Sequence, residues 1–96
     1  MSGIVYILYS KSIDHYYIGS TKNLDVRLDF HLNKKFISSY TTNADDWEIY
    51  LAFETENISI ATKIERHIKR MKSRVYLENL KRYPEMVEKL LKKYKN

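Results

Sequence analysis

Five side chains have types that can do chemistry and positions that packing explains incompletely: Tyr6, Tyr17, Arg27, His31 and Glu65. A tyrosine hydroxyl titrates near pH 10, so it serves as a base at neutral pH only beside a cation or metal. An arginine presents a planar fork of donors suited to phosphate oxygens. A histidine exchanges protons near neutrality. A carboxylate suits a hard divalent cation such as Mg²⁺. Each residue also has a plainer account. Strand tyrosines pack with satisfied hydroxyls. Arg27 can pair at the surface, and His31 can be a satisfied helix histidine. Glu65 can pair with Lys69 or Lys63, worth about 0.3–0.5 kcal/mol. No pair is diagnostic by spacing, and His15, His31 and His67 lack the spacing of a zinc site.

Composition removes several other chemistries. The sequence has no cysteine, which excludes disulfides, thiolate metal sites and cysteine nucleophiles. A reducing, cytoplasmic setting fits that usage. Gly3 and Gly19 are the only glycines, so phosphate-cradling glycine loops are excluded. No apolar run reaches the roughly 18 residues of a membrane span, and the N-terminus lacks a signal-peptide layout. At 96 residues, without a linker or repeat, the chain reads as a single domain over 1–96.

The net charge of +5 is unevenly placed. Residues 1–54 sum to −2 and residues 55–96 to +7. The densest stretch, 63–74, holds Lys63, Arg66, Lys69, Arg70, Lys72 and Arg74 around one acid, Glu65. Such a stretch is either a solvated helix face or a phosphate-contacting surface that gains from released counterions.

The elements that must position these residues follow from the pattern. Residues 4–9 form an apolar, β-branched and aromatic run, and residues 15–20 read as a second strand across a short turn. A hairpin centred near Lys11–Ser12 sets Tyr6 beside Tyr17. Thr21 or Asn23 can cap a helix with Leu24, Leu28 and Leu32 inward and Arg27 and His31 on another face. Residues 33–46 read as a polar loop and 47–54 as a third strand. Asn57 or Ser59 starts a helix with Ile60, Ile64, Ile68 and Met71 on one face. A break near Ser73 precedes a short helix over 75–82. Pro84 opens a last helix with Val87, Leu90, Leu91 and Tyr94 as its stripe. The order predicts an α+β domain, a three-stranded, mostly antiparallel sheet flanked by helices.

Read in order, the segments Ile4-Val5-Tyr6, Tyr17-Ile18-Gly19, Arg27 with His31, and Ala61-Thr62-Lys63-Ile64-Glu65-Arg66-His67-Ile68-Lys69 resemble the GIY-YIG endonuclease superfamily. The resemblance spans residues 3–82, leaving 83–96 as a C-terminal helix. It is closest to small stand-alone members similar to the N-terminal nuclease domain of the excinuclease UvrC. It implies a metal-dependent endonuclease acting on DNA, with RNA not distinguished, in repair or recombination. It implies that Glu65 binds Mg²⁺ or Mn²⁺, that Arg27 contacts the scissile phosphate, and that Tyr6 or Tyr17 holds the nucleophilic water. It implies that His31 assists proton transfer and that Asn79 supports the site. The nucleic-acid contacts expected beside these are Lys22, Lys63, Arg66, Lys69, Arg70, Lys72 and Arg74. Ser20 departs from the pattern, since some members carry a lysine after the second motif's glycine; Lys22 stands two residues on. That departure keeps a second reading open, a nucleic-acid-binding module of the same fold without turnover. A third is an interaction domain whose basic helix is ordinary surface. With no recognition domain expected, sequence specificity should be low.

Overall fold

The apolar run at 4–9 lies within β1 (Gly3–Ser10), the middle strand of a three-stranded sheet. The computed structural model describes residues 2–25 and 44–95. β1 pairs antiparallel with β2 (His15–Thr21) on one side and β3 (Trp47–Thr55) on the other. A central strand is covered on both faces, which explains why its sequence is continuously apolar instead of alternating. Val5 and Ile7 face one side, Tyr6 and Leu8 the other, and all four are at most 1% exposed.

Three helices cover the Val5 and Ile7 face: α1 (Ile58–Met71), α2 (Arg74–Arg82) and α3 (Pro84–Lys93). Ile60, Ala61, Ile64 and Ile68 of α1 pack there with Leu77, Leu80 and Leu90 of the later helices. Asn57 caps α1 by accepting from the Ile60 amide at 2.9 Å. Ser73 caps α2 in the same way through the Tyr76 amide at 3.1 Å. Pro84 occupies the first turn of α3, where its missing N–H costs nothing. The result is the α+β architecture that the pattern predicts. Among the described residues no helix is long and apolar enough to cross a membrane.

The opposite face holds a smaller cluster of Tyr6, Leu8, Ala44 and Trp47, with Ile13, Tyr17 and Leu24 against it. The chain turns helical at Leu24 and Asp25. The remainder of the expected Leu24–Leu28–Leu32 stripe, with Arg27 and His31, lies outside the described residues.

One expectation is corrected here. The hairpin pairs Tyr6 with Gly19 and Leu8 with Tyr17, so its register is displaced by two residues from a Tyr6–Tyr17 pairing, and the two tyrosines are neighbours on the diagonal instead. The reason is the turn. It spans residues 11–14 and closes on Asp14 in a left-handed conformation, φ 51°, which moves its centre one residue later. Asp46 braces this turn. Its carboxylate accepts from the Ser10 hydroxyl at 2.5 Å, the Ser12 amide at 2.9 Å and the Ser12 hydroxyl at 2.9 Å, which holds its pKa below the usual value. Met71 falls on the predicted face of α1, at its end. It is 45% exposed, because the buried stripe of α1 ends at Ile68 and Met71 is the last helical residue.

Candidate active site

Gly3 fixes how α1 lies on the sheet. A Cβ at Gly3 would come within 2.7 Å of the Asn57 carbonyl oxygen and the Ile58 Cα, so only glycine lets the start of α1 approach β1 this closely. Thr55 locks the junction: its hydroxyl lies 3.1 Å from the Gly3 carbonyl and 2.7 Å from the Asn57 carbonyl, able to donate to either. From that anchor α1 runs over β1 and β2, with the inward isoleucines on the sheet. Glu65, next to the inward Ile64, reaches the outer strand β2.

There the Glu65 carboxylate is engaged at both oxygens. Oε1 accepts from the Ser20 hydroxyl, and Oε2 pairs with Lys69 Nζ at 2.6 Å. The Glu65 side chain is 17% exposed and that of Lys69 51%. Ser20 lies opposite Val5 and so shares the helix-covered face. Nothing in its residue type signals this role. Strand alternation places it on that face, but its partner is 45 positions away in the chain.

Tyr6 approaches β2 from the other face. Its ring lies over Gly19, and a Cβ at Gly19 would sit 2.5 Å from the Tyr6 hydroxyl oxygen. The Tyr6 hydroxyl thus occupies the space where any side chain at 19 would begin. Tyr17 stands beside it, ring centroids 6.3 Å apart and tilted by 31°. Adjacent residues of one strand, Gly19 and Ser20, therefore carry the contacts of Tyr6 and of Glu65 from opposite faces.

The remaining candidates divide. Helical periodicity sets Lys69 on the flank of α1 shared by Glu65 and turns Lys63, Arg66 and Arg70 outward from the sheet, while Lys72 follows the last helical residue as a left-handed cap. All five are exposed, as is Lys22 just beyond β2. Arg74 is committed to the hairpin: it pairs with the Asp14 carboxylate at 2.8 Å and donates to the Asp14 carbonyl at 2.6 Å. Asn79 lines a hollow with Tyr50 of β3. Tyr50 packs on Tyr16, at the hairpin end of the sheet, whereas Glu65 meets β2 at Ser20 near its other end. The structure does not bring Asn79 and Glu65 together.

The sequence motif around both glycines now has a structural reason, and residues 2–81 match the family model of the GIY-YIG catalytic domain. The chain belongs to the GIY-YIG family. A GIY-YIG catalytic domain is a nuclease domain, and these nucleases generally use divalent metals. No curated protein and no solved structure matches the chain. Among the described residues no group of three or more His, Asp or Glu side chains is gathered as a metal cage. The donors at Glu65 still fit Mg²⁺ or Mn²⁺. The Glu65 carboxylate supplies oxygen donors once Lys69 releases Oε2, and Mg²⁺ commonly takes one or two carboxylates, keeps several waters and completes its shell with substrate phosphate.

Proposed function

We propose that this GIY-YIG protein is a divalent-metal-dependent endonuclease that hydrolyses phosphodiester bonds in DNA. The observation that carries the reading is that the family's first tyrosine and its helix glutamate contact adjacent residues, Gly19 and Ser20, of one edge strand. Hydrolysis forms a bond from water oxygen to phosphorus and breaks the bond to the 3′ oxygen. The water must lose a proton, and the leaving oxygen must gain one or be stabilised. Glu65 would hold the cation, with Ser20 orienting the carboxylate from behind. When bound there, the ion supplies Lewis acidity at the phosphoryl and leaving oxygens. Tyr6 and Tyr17 position the attacking water. Arg27 presents its fork to the scissile phosphate, and His31 assists proton transfer. The exposed cations Lys22, Lys63, Arg66, Lys69, Arg70 and Lys72 neutralise flanking phosphates.

The assay is cleavage of branched, nicked and plain duplex DNA with Mg²⁺ or Mn²⁺, beside Glu65→Ala and Arg27→Ala. Cleavage by the parent chain that either substitution lowers by on the order of 10³-fold is the expected result. Equal survival of every substrate with all three proteins overturns the reading. One observation favours a second reading, binding without turnover: both oxygens of Glu65 already have partners. That reading predicts salt-sensitive DNA binding with no cleavage at any metal concentration.

A further inference from the structure

Along β2 from Ser20 toward the hairpin, a hollow of about 360 Å³ opens between the strand and the turn joining α1 to α2. Its walls combine two kinds of surface. Tyr16, Ile18 and Leu77 supply aromatic and aliphatic area, and Lys69, Lys72 and Arg74 supply positive charge. An aromatic and aliphatic wall bordered by cations matches the two halves of a nucleotide, a base that stacks and a phosphate that pairs. Arg74 is spoken for by Asp14, and its guanidinium also stands 5.4 Å from the Tyr16 ring centroid. Lys69 borders both the hollow and Glu65. No ion pair among the described residues engages Lys72.

We propose that this hollow binds one nucleotide of the substrate strand away from the cut, its phosphate on Lys72 and Lys69 and its base on Tyr16 and Ile18. The identity of the substrate rests on the nuclease reading. Tyr16 is four residues from Ser20, roughly 13 Å along an extended strand. A base in this hollow has left a duplex stack, so the favoured substrates carry an unpaired nucleotide near the cut, as in a flap, a loop or a single strand. Lys69 links the two sites: releasing its pair with Glu65 adds a second cation to the phosphate.

The test titrates the full, metal-free chain with 5′-dAMP, deoxyadenosine and inorganic phosphate, following NMR shifts. Binding of dAMP at least tenfold tighter than either fragment, with shifts at Tyr16, Ile18 and Lys72, is the expected result. Lys72→Gly removes the cation while suiting the left-handed backbone there, φ 46°, so the fold is kept. It weakens dAMP binding at least fivefold, and Lys72→Arg restores it. Glu65→Ala frees Lys69 and tightens dAMP binding about twofold or more. An arm with 5′-AMP assigns the sugar: a tenfold preference for either nucleotide names DNA or RNA and, like equal binding, supports the subsite. Equal affinity for dAMP and phosphate, shifts that avoid Tyr16, or indifference to Lys72→Gly overturns it. The nuclease reading fails separately, if metal-loaded protein cuts no nucleic acid, and the metal-free titration does not depend on that result.

Discussion

Tyrosines occupy both faces of the sheet, and their surroundings differ. On the helix-covered face Tyr9, Tyr16 and Tyr50 pack together, with centroids 4.8 Å apart for Tyr9–Tyr16 and 5.1 Å for the edge-on Tyr16–Tyr50 pair. Cations border the cluster, with Lys81 Nζ 4.4 Å from the Tyr50 centroid. The Tyr9 hydroxyl donates to Asp14 at 2.5 Å, and that bond raises its pKa. Burial, then Tyr50, pushes Tyr16 up to about 12, which removes it as a base near neutrality. On the other face Tyr6 and Tyr17 pack against each other, with Tyr6 lying on Gly19. Tyr16 and Tyr17 are neighbours in sequence, yet strand alternation sends them to opposite sides. Parity along β2, not residue type, separates a tyrosine that braces the hairpin from one beside the family's glycine.

The largest effect that breaks this contrast should come from Gly19→Val. Its Cβ displaces Tyr6, so cleavage is lost, and the overpacking costs about 1–3 kcal/mol in chemical denaturation. Next come the hydroxyl deletions. Tyr6→Phe is expected to slow cleavage about 10²-fold in single-turnover assays, while Tyr9→Phe and Tyr16→Phe stay within about twofold. Tyr9→Phe instead lowers the melting temperature by freeing Asp14. Equal losses for both faces would erase the distinction.

Much of the fold is legible because its signals are local. Alternation and apolar runs mark the strands; Asn57, Ser73 and Pro84 mark the helix starts. The hairpin register is less legible, since the left-handed Asp14 and the Asp46 brace decide where the turn closes, and Asp46 enters from a distant segment. In the site, Glu65 stands out as the one acid of a basic stretch. Its bond to Ser20 is invisible in the sequence because the two residues, 45 positions apart, meet only after α1 docks. Asn79, carried over on spacing alone, falls at the other end of the sheet because the turn after α1 redirects the chain.

A smaller effect sharpens the contrast at Ser20. Removing its hydroxyl frees one Glu65 oxygen and loosens the carboxylate, so Ser20→Ala should weaken Mn²⁺ binding about 10–100-fold by calorimetry. No such change is expected in Tyr16→Phe. The smallest effect is in pH. The Tyr9 hydroxyl, then Arg74, holds the Asp14 carboxyl below its ordinary 3.8. The folded state therefore binds that proton less readily than the unfolded one. The stabilisation is present above about pH 4 and is lost as pH falls through the folded-state value. Amide exchange at the hairpin should rise over that window, and Asp14→Asn should reduce the dependence to the share that the Asp46 brace carries.

Gly3 has a mechanical consequence. It is the fulcrum of α1, and Glu65 rides seven residues beyond Ile58, about 10 Å along the axis. A tilt of about 10° at the fulcrum would swing the carboxylate nearly 2 Å, about the difference between touching Ser20 and missing it. The first glycine, remote from any reacting atom, sets the aim of the helix that carries the acid.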